Sequence, residues 1–311
     1  MSGVPDSPGR GPTRATGEQP WARAGERGSP MLIRFIIWVA LTAGRRTARL
    51  LLHPITLYFL VAAPGPARHS RAFLARALGR RPGLADRYRH IHSFASVLLD
   101  RVFFMAGRMS AFELSFDGLE ALEEAHAKGR GVVLVGAHFG SFEAMRALAA
   151  SYDKARLKVL MREGPDARIA DALRALDPTI MEDVIPLGDA RSMLRVNEWL
   201  RQGGMVGMLG DRVPHGDKTL SAPFLGARAA FPTSPWLLAS VTKAPVVMFA
   251  AIYLGGNRYM IRFRLLAEGV ARPRRQDQAG FEGHVALYAD TLQDWVRETP
   301  YNWFNFYDFW A

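Results

Sequence analysis

The chain reads as an α/β protein: a central, mostly parallel β-sheet flanked by helices, with an N-terminal membrane-associated helical region. Three observations predict this. From Phe112 onward, short apolar runs of strand length alternate with longer stretches of helical periodicity. Runs such as Gly131–Ala137 are apolar throughout, as in strands covered on both faces. Ahead of them, residues 31–63 form the most hydrophobic stretch of the chain. With 311 residues and 49% hydrophobic composition, the chain is long enough to bury one sizeable core.

Residues 1–30 are rich in Gly, Pro, Ser and Arg without apolar periodicity, and read as a disordered tail. Residues 31–63 read as an apolar anchor. Met31–Ala43 and Leu50–Ala63 are its two halves, separated by Gly44, Arg45, Arg46 and Arg49. Each half is shorter than the roughly 20 residues a spanning helix needs. A bent or shallow interfacial anchor therefore fits better than a single-pass span or a cleaved signal peptide, and two ordinary core helices are the plainer reading. Residues 64–110 form a basic helical region, with amphipathic helices over Ala67–Arg80 and Leu84–Gly107. Residues 111–311 make up the α/β core. Its strands fall at Phe112–Phe116, Gly131–Ala137, Arg156–Met161, Val184–Pro186, Met205–Leu209, Val246–Ile252 and Tyr259–Leu266. Helices fall at Leu119–Lys128, Ser141–Ala150, Pro165–Leu176, Arg191–Arg201, Thr233–Thr242 and Phe281–Glu298.

Charge is concentrated in one region. Residues 31–110 carry 13 arginines and no lysine, against only Asp86 and Asp100, while the rest of the chain nearly cancels. An anionic membrane surface or an acidic protein partner would use such a region. Nucleic acid fits less well, because the same region is apolar and no base-reading motif accompanies it. The absence of cysteine excludes disulfides, cysteine-ligated metals and a thiol nucleophile. No cluster of His and acids has metal-ligand spacing, so no metal is expected. With no G-x-G-x-x-G and no P-loop, nucleotide binding has no support.

His138 and Glu143 are the candidate catalytic pair. They lie in Gly-Ala-His-Phe-Gly-Ser-Phe-Glu, between a strand end and a helix start, where ligands collect in open α/β sheets. A histidine there serves as a general base near neutral pH, and a carboxylate five residues on orients it and stabilises the imidazolium. Gly136, Ala137 and Gly140 clear space around the ring. The competing reading makes His138 a capping or packing residue.

Four further stretches join this one: Val159-Leu-Met-Arg162-Glu-Gly, Gly207-Met-Leu-Gly-Asp211-Arg212, Ala222-Pro-Phe224-Leu-Gly226 with Phe231-Pro-Thr-Ser-Pro235, and Trp303-Phe-Asn-Phe-Tyr-Asp-Phe-Trp310. Together with the H-x4-E stretch they resemble the lysophospholipid acyltransferase superfamily over residues 30 to 311. Within it they resemble the late lipid A biosynthesis branch and its relatives in aryl polyene pigment gene clusters. The resemblance implies acyl transfer from an acyl-carrier-protein or coenzyme A thioester to a hydroxyl of a lipid or lipid-like acceptor, with no cofactor. It also implies a place on the cytoplasmic face of the inner membrane. It makes His138 the base and Glu143 its orienting group. Gly140, Ser141, Arg162, Asp211, Arg212, Phe224 and Gly226 become candidates for substrate binding. Arg212 stands where lipid A enzymes usually have Gln, and an arginine there suits an anionic acceptor or a carrier's phosphopantetheine phosphate. Plainer readings stand beside these. Arg162 and Arg212 have Glu163, Asp166 and Asp211 as nearby ion-pair partners. Pro223–Gly226 also reads as a turn, the C-terminal aromatics as packing or an interfacial belt, and His215 as a loop residue. A hydrolase of the same fold and a non-catalytic membrane scaffold are the alternative functions.

Overall fold

The computed structural model describes residues 13–14, 30–151, 156–161, 183–187, 190–214, 216–273 and 279–311. The expected helix at 165–176, Arg162 and His215 lie outside these residues, as does most of 1–30. Within that tail, strand β1 (Thr13–Arg14) pairs antiparallel with Lys218 and Thr219.

The sheet is built from the strands the apolar runs predict: β2 (Glu113–Asp117), β3 (Val132–Gly136), β4 (Leu157–Met161), β5 (Val184–Pro186), β6 (Met205–Leu209), β9 (Val246–Gly255) and β10 (Arg258–Ala267). Their order is β2-β10-β9-β3-β6-β4-β5, and only the β9–β10 pairing is antiparallel. β3 lies at the centre. Val132 to Val135 have no exposed surface, because helices cover both faces. Alternation splits the strand between two cores: Val133 and Val135 join one, Val132 and Leu134 the other.

The second core holds α1 (Pro30–Ala62), α3 (Leu84–Met105) and α5 (Phe142–Ser151) against the sheet. α4 (Leu119–Ala127) packs at its margin. The first core holds α2 (Pro64–Leu78), α6 (Ala190–Arg201), α7 (Ser234–Thr242) and α8 (Glu282–Glu298). It also holds a hairpin where the sequence predicts no strands and offers Pro223–Gly226 as a turn or a groove lining: β7 (Lys218–Phe224) and β8 (Ala227–Pro232). Leu225 and Gly226 form its two-residue turn, both at positive φ (50° and 80°), the geometry that matches strand twist.

The two apolar halves of 31–63 form one kinked helix. Gly44 breaks it with φ 84° and ψ 167°, a conformation that favours glycine. No single helix among the described residues is long and apolar enough to cross a membrane; the Arg34–Ala62 segment and α2 meet at 93°. Each half of α1 turns an apolar stripe outward, Met31, Phe35 and Trp38 on one and Leu50, Leu57 and Val61 on the other.

The arginines between the halves separate in role. Arg46 is exposed. Arg45 turns inward and grips Asp100 of α3 with two hydrogen bonds of 2.7 Å, donates to the Gly256 carbonyl and lies 5.0 Å over the Phe112 ring. Asp100 is fully buried and also accepts from Tyr259 Oη at 2.8 Å. Burial pushes the Asp100 carboxyl up, against the opposing pull of Arg45 and Tyr259. Removing Arg45 strands a buried charge, so Arg45→Gln is expected to cost roughly 3 kcal/mol of stability, and Arg46→Gln less than about 0.5 kcal/mol. Chemical denaturation of the two variants in detergent checks this; equal losses would sink it.

Candidate active site

The site stands where β3 and β6 end. These strands are neighbours, parallel and in register, with Gly136 opposite Leu209. Two residues beyond each strand end come His138 and Asp211, and their side chains meet: Nδ1 to Oδ1 is 2.8 Å. A tight turn centred on His138, with the Phe139 N–H directed at the Ala137 carbonyl (2.6 Å), swings the imidazole out of the strand direction.

Asp211 is completely buried, yet both its oxygens are satisfied. Oδ1 faces His138 Nδ1. Oδ2 accepts from the His138 backbone N–H (3.0 Å), the Trp303 indole N–H (3.1 Å) and the Asn305 amide (2.8 Å). Burial alone would raise the carboxyl. The charges of His138 and Arg212 and the hydrogen bonds from His138 and Asn305 outweigh it, and Asp211 sits at about 2. An ionised carboxylate only accepts, so Nδ1 of His138 carries a proton, and in the neutral ring Nε2 is the acceptor nitrogen.

Glu143, to which the sequence reading gives the orienting role, sits in the first turn of α5. Its carboxylate forms an ion pair with Arg101 of α3, Oε1 to Nε 2.7 Å. The carboxylate on the imidazole Nδ1 is instead that of Asp211, a residue expected to bind substrate. Ser141, another expected substrate contact, is buried and caps α5: its Oγ accepts the Ala144 N–H at 3.2 Å. Gly140 has φ 72° and touches β9 so closely that a Cβ would lie 1.9 Å from the Ala251 carbonyl oxygen. Its small size serves this backbone contact. Phe224 is fully buried, 5.3 Å from the Trp303 ring, and Gly226 completes the hairpin turn. Arg212 points to the C-terminal segment: Nε donates to Asn305 Oδ1 (2.9 Å) and a terminal nitrogen to the Phe304 carbonyl (3.3 Å). Among the described residues no three His, Asp or Glu side chains cluster as a metal site would require.

Sequence reasoning gave Trp303 and Asn305 only as members of an aromatic-rich stretch. The structure runs 302–305 alongside the His138 loop, with Phe304 N–H to the His138 carbonyl (2.7 Å), Gly140 N–H to the Asn302 carbonyl (2.9 Å) and a bridge between Phe139 and Trp303. The one available signal was the pair of asparagines among the aromatics, polar groups that burial would force to find partners.

Behind Trp303 stands His90 of α3, fully buried. Its Nε2–H donates to the Trp303 carbonyl and its Nδ1 accepts from Ser70 Oγ of α2, each at 2.8 Å. Burial outweighs that carbonyl bond and lowers His90 to about 4. The neutral ring is therefore favoured by folding. Its contribution is complete above pH 6.5 and is lost as pH falls from 6.5 through 4, about 3 kcal/mol in all. His90→Gln, which keeps a donor and an acceptor, should flatten the stability-against-pH curve in that window. Parallel curves for variant and parent in urea denaturation from pH 7 to 4 would count against it.

The described side chains thus place an imidazole and a buried carboxylate together where two parallel strands end. A search among curated proteins finds no match to the chain. The family model for the bacterial lipid A biosynthesis acyltransferases matches residues 30–311, nearly the whole chain. The protein belongs to the bacterial lipid A biosynthesis acyltransferase family, and is an acyltransferase of lipid biosynthesis.

Proposed function

We propose that this enzyme moves an acyl group from an acyl-carrier-protein thioester to a hydroxyl of a lipid acceptor, with His138 as general base. The observation that carries the reading is the His138–Asp211 pair at the ends of two adjacent strands. His138 Nε2 takes the acceptor's hydroxyl proton as that oxygen attacks the thioester carbonyl. The tetrahedral intermediate collapses, the carbon–sulfur bond breaks, and the imidazolium returns the proton to the departing thiolate. Asp211 holds the tautomer and stabilises the imidazolium between the two steps, as the acid of a Ser-His-Asp triad does. Glu143, paired with Arg101, steadies the α5 end of the loop. By the resemblance to the pigment-cluster enzymes, an aryl-type acyl chain is the proposed cargo.

Detergent-purified protein, labelled acyl-carrier-protein thioester and a total lipid extract of a lipid A-producing bacterium provide the test, with acyl-coenzyme A as second donor. Label should enter lipid with the parent enzyme and not with His138→Ala; label released as free acid would instead indicate a hydrolase. Asp211→Asn should lower kcat by about a thousandfold or more, since it favours the wrong tautomer. Glu143→Gln should cost clearly less. If Glu143→Gln costs as much as Asp211→Asn, the orienting role returns to Glu143.

We further propose that the outward stripes of α1 dock on the cytoplasmic face of the inner membrane. Exposed Arg46 would face anionic headgroups, and the exposed Arg68, Arg71, Arg81 and Arg89 would steer the acidic carrier protein. A triple change of Phe35, Trp38 and Leu57 to Ser should reduce vesicle co-sedimentation at any salt concentration. Arg46→Gln should reduce it only for anionic vesicles at low salt. Unchanged co-sedimentation of both variants would rule out this docking face.

A further inference from the structure

The dipeptide Asp211-Arg212 faces two ways. Asp211 holds His138, while Arg212 reaches the segment that supplies two of the donors on Asp211. Asn305 connects these two arms. Its Oδ1 accepts from Arg212 Nε at 2.9 Å and its Nδ2 donates to Asp211 Oδ2 at 2.8 Å. The chemistry at each end determines the amide's orientation. A guanidinium only donates, so it requires the carbonyl oxygen; a carboxylate only accepts, so it requires the NH2. Asn305 is buried, and a rotated amide would meet like partners at both ends. Arg212 also holds the neighbouring Phe304 carbonyl, while the Phe304 N–H bonds the His138 carbonyl. The arginine thus holds two consecutive residues of the segment, Phe304 by its carbonyl and Asn305 by its side chain.

From this geometry we infer that Arg212 and Asn305 are positioning residues: Arg212 locks the Asn305 amide so that its NH2 holds the Asp211 carboxylate in line with His138 Nδ1. The inference rests on His138 as the base. It reassigns Arg212 from reading an anionic substrate to aligning the base, and makes the C-terminal segment part of the catalytic apparatus. Among the described residues, Arg212 and the phenols of Tyr288 of α8 and Tyr307 also sit in the field of Asp211, and burial keeps both phenols neutral. His138, hydrogen-bonded to Asp211 Oδ1, is the titrating group that feels a misaligned Asp211 directly. Losing the Asn305 donor leaves more negative charge on Asp211 for His138 to feel, and its imidazolium holds its proton to higher pH.

Transfer from labelled acyl-carrier-protein thioester to the total lipid extract tests this. The enzymes compared are the parent, Arg212→Leu, Arg212→Gln, Asn305→Leu, Asn305→Asp and His138→Ala. Arg212→Leu and Asn305→Leu should each lower kcat about tenfold while the apparent KM for the extract stays within about twofold, the signature of an effect on chemistry rather than binding. The acid limb of their pH–rate profiles should move up by about half a unit. Arg212→Gln, which keeps an N–H donor for Asn305 Oδ1, should recover to within about threefold of the parent. Asn305→Asp keeps the Arg212 contact and the volume but removes the donor; it carries the test should the leucine variants fail to fold. The inference is overturned if Arg212→Leu raises KM with kcat retained, if Arg212→Gln is no better than Arg212→Leu, or if Asn305→Asp leaves the acid limb in place. Full activity of His138→Ala overturns the base assignment itself, an outcome distinct from these.

Discussion

A carboxylate with no access to water organises the functional end of this molecule. Burying the charge of Asp211 is costly unless every lone pair finds a donor. Its donors come from distant parts of the chain: the His138 turn beyond β3, and Trp303 and Asn305 from the C-terminal segment. Each donor is itself held. The Trp303 carbonyl takes the His90 proton, and His90 takes that of Ser70, so α2 and α3 brace the segment from behind. Arg212 braces it from the front. Removing any one of these supports bears on the same carboxylate, and through it on the orientation of a single imidazole.

Much of the sheet was legible because its strands are buried on both faces. Val132–Gly136 and Met205–Leu209 are short apolar runs bounded by glycines, and the structure ends them within a residue of the expected points. The hairpin was not, for two reasons. Its alternation is carried partly by alanines, with Leu220, Ala222 and Phe224 inward on one strand and Ala229 and Phe231 on the other, so the period is faint. Its turn uses Leu225-Gly226 rather than Asn-Gly or Asp-Gly, and a leucine at φ 50° gives no warning in sequence. The site was legible as a set of residues but not as a set of contacts. His138 and Asp211 are 73 residues apart and meet only because β3 and β6 are neighbours. A single sequence gives spacing along the chain, which favours the nearby Glu143, and does not give the order of strands in the sheet.

The same limit applies to charge. Counting side chains assigns the basic character of residues 31–110 to a surface. The fold withdraws part of it: Arg45 closes on Asp100, Arg80 on Asp86 and Arg101 on Glu143. These pairs tie α1 to α3, the end of α2 to the start of α3, and α3 to α5. What is left outside is narrower and more directional than the count suggests. The exposed Arg46 shares α1 with two outward apolar stripes, and Arg68 and Arg71 stand exposed on α2. This surface, apolar on one helix and cationic on the next, is the one on which the proposed membrane and carrier-protein docking rests.

The C-terminal segment shows how a stretch with little regular structure can hold a site to hydrogen-bond tolerance. Segment 302–310 has few ladder bonds to order it, so its side chains must do so. Trp303 and Phe309 pack edge to face at 4.6 Å, and Phe224 of the hairpin meets both. Trp310 donates its indole N–H to the Phe224 carbonyl and lies under the Arg76 guanidinium of α2. Large aromatic rings bury much surface for few torsions lost, so this cluster orders the backbone at low entropic cost. The hairpin is needed because it supplies the wall against which Trp303 is pressed. Trp303 and Asn305 in turn hold Asp211. Packing in the first core is thereby converted into the alignment of the His138 imidazole, and with His138 as the proposed base, substitutions well away from it should register in its chemistry before they register in the fold.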